Sequence, residues 1–239
     1  MKQLTSEQIA EIAQFDTPTI ANAIEFFKIR GRLEGVMNPE IKCILPFGKT
    51  MVGYAYTAKI SAAAPATTEQ PQLWMDYFAK LQATARPSLA VLQDIDPQPV
   101  GSFWGEVNAT CHKALGCVGT ITNGGVRDLN EVEELGFGFF ASTVLVSHGY
   151  VHIEEHGIPV EIGGVTVKPG DLLAADRHGV ILIPHEIAEQ LADACVQAGE
   201  AEMPVLNGCR KALAENAEVN LDELKQWRKE MAENRQLKT

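Results

Sequence analysis

The sequence predicts an α/β fold, and three stretches of it carry the prediction. Residues 117–141 read as strand, glycine turn, helix and strand, the rhythm of a parallel or mixed sheet with helices packed on it. Residues 160–184 read as short strands joined by tight turns at Gly163-Gly164, Lys168-Pro169-Gly170-Asp171 and Asp176–Gly179. The two ends carry helical periodicity instead, over residues 5–29 and from His185 onward.

Taken in order, residues 5–29 form two helices. Thr5-Ser6-Glu7-Gln8 offers caps to the first, with Ile9, Ile12 and Ala13 on one face. Asp16-Thr17-Pro18 starts the second, which runs through Ile20, Ile24 and Phe27. Gly31–Pro46 reads as loop with short extended pieces, and the alternation Val52, Tyr54, Tyr56 predicts a strand over Thr50–Ile60. Residues 61–71 are rich in Ala, Thr and Pro and read as loop. A helix follows over Gln72–Ala85, then a short buried strand over Ser88–Gln93. A helix begins after Gly105 and runs to about Leu115, a strand covers Cys117–Thr122, a helix Leu129–Leu135 and a strand Phe137–Ala141. The helical region from His185 towards residue 214 is expected to break near Pro204. A polar tail, Leu221–Thr239, reads as a last helix. These features predict one domain over residues 1–214 with a helical extension over 215–239.

Hydrophobic residues at 46% and charged residues at 21% fit a globular chain with one substantial core. The formal net charge of −11 argues against nucleic acid as a partner, because phosphate backbones need clustered Lys and Arg. A small anion is still allowed, since one Arg or one helix N-terminus reverses the potential locally. The polar start Met1–Glu7 does not read as a secretory leader, and no apolar run approaches the roughly 20 residues a membrane span needs. Five cysteines without a CxxC pair are expected to be reduced and mostly buried, which points to the cytoplasm.

Two segments hold candidate chemistry. In Phe103-Trp104-Gly105-Glu106-Val107-Asn108 a glycine precedes a helix, so free backbone N–H groups and the helix dipole favour a carboxylate or phosphate there. The same residues also make an ordinary helix start with Glu106 complementing the dipole. In Thr122-Asn123-Gly124-Gly125-Val126-Arg127-Asp128 a strand ends in two glycines that permit close approach. Arg127 offers a fork for a carboxylate and Asp128 a hard oxygen for a divalent ion. The alternative is an internal Arg127–Asp128 pair with Asp128 capping its own helix. Both segments open helices that flank one strand, so they can converge.

Glu106, twenty residues and then Arg127-Asp128 resembles the pattern of the RraA-like superfamily. That superfamily includes the 4-hydroxy-4-methyl-2-oxoglutarate / 4-carboxy-4-hydroxy-2-oxoadipate aldolases, which are class II pyruvate aldolases. The stretches WGEVNATCHKALGCVGTITNGGVRDLNEVEELGF and VTVKPGDLLAADRHGVILIP carry the resemblance, which covers roughly residues 15–200 and is strongest over 101–184. It implies an α-β-β-α sandwich with a swivelling β/α-domain-like core, assembled as a homotrimer or homohexamer with sites between subunits. It implies that Arg127 grips the substrate carboxylate and keto oxygen, and that Asp128 ligates Mg²⁺ or Mn²⁺. Glu106 would hold metal-bound waters, and the strip at Gly105, through the Val107 and Asn108 amides, would bind a pyruvyl carboxylate. An acidic residue of a late helix, Glu200 or Glu202, would enter the site from a neighbouring subunit. The implied reaction is aldol cleavage of a small 2-oxo or hydroxy acid with release of pyruvate, and oxaloacetate decarboxylation as a side activity. Two residues depart from the pattern: Glu106 stands where Asp is typical, and Asn123 where Asp is common.

Other chemistries fit less well. His148, His152 and His156 are spaced by four, yet glycines and a β-rich context argue against a three-His zinc site and for roles in lining a pocket or a subunit contact. Cys111 and His112 are sequence neighbours on a helix and point apart. No GxGxxG follows an early strand, and no glycine-rich methyl-donor loop marks a menaquinone methyltransferase. Lys59 and Lys113 carry no feature of a Schiff-base nucleophile. The superfamily also includes proteins that bind and inhibit a ribonuclease without catalysis. They lack the Asp after the Arg, which this chain keeps at Asp128.

Overall fold

The computed structural model describes residues 3–45 and 49–235. Pro46, the end of the predicted loop, and residues 236–239 of the predicted tail helix lie outside the described residues. In chain order the helices are α1 (Ser6–Ile12), α2 (Thr17–Phe27), α3 (Gln70–Gln82), α4 (Glu106–Ala114), α5 (Leu129–Leu135), α6 (Leu191–Ala214) and α7 (Leu221–Asn234). The strands are β1 (Lys42–Leu45), β2 (Met51–Ser61), β3 (Ser88–Asp94), β4 (Ser102–Trp104), β5 (Cys117–Thr122), β6 (Gly125–Val126), β7 (Gly138–Ala141), β8 (Thr143–Val144), β9 (His152–His156), β10 (Val160–Ile162), β11 (Val165–Val167), β12 (Leu172–Asp176) and β13 (Gly179–Ile183).

Local chemistry accounts for the helix starts. Thr5 and Gln8 form a complete capping box, and the Asp16 carboxylate accepts from the Thr19 amide at 2.9 Å ahead of Pro18. The main sheet runs β1-β7-β5-β3-β2-β12-β13, with β9 also pairing with β2. Strands β2, β3, β5 and β7 are mutually parallel, while β1, β9, β12 and β13 join antiparallel. The sheet curls until it is nearly closed, so the two β layers of the expected sandwich are opposite walls of one sheet. Its inner face is filled by Ala55, Val91, Ile121, Phe140 and Leu173 and covered by the β10–β11 hairpin. Its outer face carries two helical clusters: α1, α2 and α6 at one end of β2, and α3, α4 and α5 at the other. Asp176 ties the first cluster down, because its carboxylate accepts from the Thr17 amide and hydroxyl, each at 2.7 Å.

A second, three-stranded parallel sheet, β4-β6-β8, repeats the order of the first. Strands β3, β5 and β7 each pass, at their carboxyl ends, into one of its short strands. This small sheet was not legible in the sequence, where residues 123–126 read as a turn. Strand β9 forms inside the histidine segment, in keeping with its β-rich context. Helix α6 also departs from expectation: it continues through Pro204 without a break, preceded by a 3₁₀ turn over His185–Gln190. A proline removes one backbone donor, and the remaining ladder of a 24-residue helix carries that loss. All five cysteines are free, but only Cys117 and Cys195 are buried and Cys111 is exposed, so burial is less general than expected. Among the described residues no helix is long and apolar enough to cross a membrane.

Candidate active site

The small sheet positions the site. Trp104 of β4 lies opposite Val126 of β6, and the Arg127 amide donates to the Trp104 carbonyl at 2.9 Å. The next residue on one strand is Gly105 and on the other Asp128, so the starts of α4 and α5 are set side by side. Ser102 fastens the pair, its hydroxyl meeting the carbonyls of Trp104 at 2.6 Å and Gly125 at 2.9 Å. Further out, the Lys113 ammonium of α4 donates to the carbonyls of Leu135 and Gly136 at the end of α5. That contact complements the helix terminus and fixes α5 against α4.

Asp128 adopts left-handed backbone geometry, φ 56° and ψ 47°, at the head of α5. It does not cap its own helix, as one reading of the sequence expected. Its Oδ2 instead accepts the Glu106 amide at 3.0 Å, at the head of α4. Arg127 Nε stands 3.8 Å from the same oxygen, and both side chains are about one-third exposed. Gly105 makes this approach possible, because a Cβ there would lie 2.4 Å from Asp128 Oδ2 and 3.2 Å from Arg127 Nε.

The strip before α4 is therefore a cradle. The Glu106 amide is satisfied by Asp128, while the Val107 and Asn108 amides have no partner among the described residues and belong to the unsatisfied first turn. Val107 is 75% exposed, at the open head of α4. Asn108 braces the turn, its side-chain amide donating to the Phe103 carbonyl at 2.6 Å. Its own carbonyl accepts from His112 Nδ1 at 2.6 Å. The Nε2 of His112 is then the acceptor for the Tyr77 hydroxyl at 2.8 Å. Burial pushes His112 down to about 4, against the opposing pull of the Asn108 carbonyl, so the ring is neutral.

The two glycines of the second segment serve a packing role rather than a ligand. A Cβ on Gly124 would meet Asp94 Oδ2 at 3.0 Å, and one on Gly125 would meet Leu145 at 2.4 Å. Asp94 is a neighbour of the site that sequence reasoning missed, and it is joined to Asn123. The Asn123 side chain accepts the Asp94 amide and donates to the Asp94 carbonyl, both at 2.8 Å, clasping the carboxyl ends of β3 and β5. Asp at position 123 could accept but could not donate, so the departure at Asn123 has a structural use. The signal available was the Asp94-Ile95-Asp96-Pro97 end of a buried strand, where open α/β sheets gather polar groups.

Glu200 and Glu202 lie on α6, away from this cradle within the chain. Glu202 Oε1 is held by Arg235 at 3.1 Å and by Asn22 at 3.4 Å, and Glu200 lines a groove beside Trp227. The three spaced histidines do not meet. His148 bonds the Gly149 carbonyl, His152 the Tyr150 carbonyl and Glu154, and His156 the Tyr56 hydroxyl.

No group of three or more His, Cys, Asp or Glu side chains is gathered among the described residues. A zinc site of several protein ligands asks for such a group, whereas Mg²⁺ keeps most of its waters and takes one or two carboxylates. Asp128, with one oxygen engaged and its Oδ1 without a hydrogen-bond partner among the described residues, fits that second kind of ion, with exposed Glu106 beside it.

A family model described as RraA-like, Aldolase/RraA, matches residues 17–182. A relative from Halalkalibacterium halodurans, provisionally named as a 4-hydroxy-4-methyl-2-oxoglutarate aldolase, is 30% identical over 112 residues, 46% of this chain and 53% of that protein. The chain spans about half or less of the length of the curated relatives it matches. Among solved structures, one described as novel cellulases from gut-associated microbes superposes with a TM-score of 0.72 at 21% identity, covering 84% of this chain and 88% of that one. Streptomyces coelicolor RraAS2, described as an unusual member of the RNase ES inhibitor RraA family, gives 0.65 at 20% identity, covering 84% and 96%. At these identities the structures show a shared fold.

Proposed function

Because the chain belongs to the RraA-like family, we propose that it is a divalent-metal-dependent lyase that cleaves a carbon–carbon bond of a small 2-oxo or hydroxy acid through a pyruvate enolate. The observation that carries this reading is the convergence at Gly105: two free amides, one guanidinium and one half-engaged carboxylate around a residue without a side chain. The provisional aldolase name of a relative supports the same direction.

Each group has a distinct task. The Val107 and Asn108 amides and the α4 dipole bind the carboxylate that a 2-oxo acid presents. Arg127 lies beside that carboxylate and donates to the keto oxygen, where negative charge develops as the bond breaks. Asp128 holds Arg127 and the α4 turn in register, and with Glu106 it is the residue that would hold Mg²⁺ or Mn²⁺. When bound, the ion would supply Lewis acidity towards the same oxygens. Glu106, exposed at the head of α4, is placed to hold water near the cradle. Glu200 is the acidic residue that a neighbouring copy would bring in a homotrimer or homohexamer, with Glu202 engaged inside its own chain. Oxaloacetate decarboxylation passes through the same enolate and is the expected side activity.

The test is pyruvate release from 4-hydroxy-4-methyl-2-oxoglutarate and from oxaloacetate, with Mg²⁺ or Mn²⁺ and then with EDTA. Turnover is expected to need the ion and to fall by about 100-fold or more in Arg127→Ala, the usual cost of losing a donor to an oxyanion. Undiminished turnover in that variant, or in EDTA, would sink the reading.

A further inference from the structure

A cavity of about 360 Å³ opens where α2, the loop after it and the end of α7 meet. Its wall carries Lys28, Arg30, Arg32 and Arg235, with Asn22 and a single carboxylate, Glu25. In a chain with 31 acidic and 20 basic residues, a lining of four cations and one carboxylate is unusual, with Glu202 standing behind Arg235 and Glu34 near Arg30.

Two of these cations are matched. Arg32 Nε stands 3.2 Å from Glu25, and Arg235 Nη2 stands 3.1 Å from Glu202 of α6. The other two form no ion pair among the described residues. Arg30 is half-buried, and its Nη1 donates at 2.7 Å to a neutral group, the Leu182 carbonyl of β13. Burial lowers its basicity, an effect that Glu34 offsets in part. Lys28 ends α2 in left-handed geometry, φ 54°, and the carbonyls of that helix end supply a partial negative charge of roughly half a unit. That balances part of one cation and leaves a surplus.

We propose that this cavity binds a small phosphoryl-bearing anion carrying at least two charges, such as inorganic pyrophosphate or a phosphate ester. Guanidinium forks and an ammonium arriving from separate elements suit the several oxygens of a tetrahedral polyanion. The volume lies at the small end of ligand cavities. None of the lining residues belongs to the cradle at Gly105, so the inference stands independently of the proposed lyase activity. Because Glu202 holds both Asn22 and Arg235, an anion seated here ties α7 to α2 and stiffens the C-terminal helices against the body.

The experiment is calorimetric titration of the full chain with inorganic pyrophosphate at constant ionic strength. It is repeated on Lys28→Asn/Arg32→Gln and on Arg127→Ala. Asn tolerates the left-handed position, and Arg32 is largely exposed, so the double variant keeps the fold. Saturable binding weakened about tenfold or more in the double variant and unchanged in Arg127→Ala is expected. No saturable heat, or binding lost in Arg127→Ala and kept in the double variant, would overturn the site. Parallel titrations with inorganic phosphate and a nucleoside diphosphate identify the source of the phosphoryl group, and tighter binding of either confirms the class.

Discussion

Asp128 accepts the amide of Glu106 at 3.0 Å, a contact between the heads of two different helices. The aspartate that begins α5 thus serves as the cap of α4. The arrangement joins the candidate metal oxygen to the candidate carboxylate cradle through one hydrogen bond. It exists only because Gly105, between them, has no side chain.

Gly105→Ala tests that dependence. The added methyl would lie 2.4 Å from Asp128 Oδ2, closer than Cβ atoms approach oxygen, so the carboxylate must leave the Glu106 amide. The proposed lyase activity is expected to drop by about 100-fold, in line with misplacement by an ångström, while circular dichroism stays native. A variant with native activity would show that the Asp128–Glu106 contact is incidental.

Asp94 gives a pH-dependent test of the strand ends beneath the site. Asp94 is 3% exposed, with Oδ1 accepting the Asp96 amide at 3.0 Å and a buried Oδ2 without a partner among the described residues. Burial first, and the charge of Asp96 as well, raise it to about 6, although the Asp96 amide pulls the other way. A folded value above the unfolded one means the native state holds this proton more tightly. The contribution is therefore full below about pH 4 and is lost as pH rises through 6. Asp94→Asn keeps the acceptor and cannot ionise. It should be more stable than the parent at pH 8 by about 1–3 kcal/mol, at 1.4 kcal/mol per pKa unit, and nearly equal at pH 4. Urea unfolding at both pH values measures this, and an unchanged difference between them would refute it.

The helices that frame the site were legible because their signals are local. Gly105 before Glu106, and the run Leu129–Leu135 after Asp128, mark helix heads within a few residues. The α/β class and the long parallel strands were legible for the same reason, as apolar runs bounded by glycine and proline. Strands β4, β6 and β8 were not, because two or three residues have no periodicity. They are strands only by pairing with one another across about 20 positions of sequence. The Asn123–Asp94 clasp belongs to the same class of tertiary fact, as does the continuity of α6 through Pro204. The cationic cavity was hidden too, since Arg235 and the Lys28–Arg32 run are some 200 residues apart.

Asp176 is expected to behave in the opposite sense to Asp94. Burial raises it, but the Thr17 amide and hydroxyl and the His178 amide and ring outweigh that and hold the carboxyl below its ordinary value. A depressed folded value means stability present above the unfolded pKa and lost as pH falls through the folded one. Asp176→Asn should cost about 1.5–3 kcal/mol near pH 7, the usual worth of a hydrogen bond to a charged group, because it frees the head of α2. The difference should shrink below pH 3. A pH-independent difference would assign the effect to packing instead.

Tyr77→Phe separates the core from the cradle. The Tyr77 hydroxyl is fully buried and donates to His112, which in turn donates to Asn108 in the first turn of α4. Removing the hydroxyl leaves His112 Nε2 a buried acceptor without a donor, which costs about 1–3 kcal/mol. For a chain of this size that is roughly 2–4 °C of melting temperature per kcal/mol. The imidazole now has an incentive to turn its hydrogen towards solvent-poor space or to leave Asn108, and only the second response disturbs the cradle. Melting should fall in either case. If KM for the 2-oxo acid rises as well, the Tyr77–His112–Asn108 chain sets the amides that receive the carboxylate. If KM is unchanged, Asn108 is held by its own bond to Phe103 and the chain is purely a core device. A variant that melts with the parent would refute the cost assigned to the lost donor.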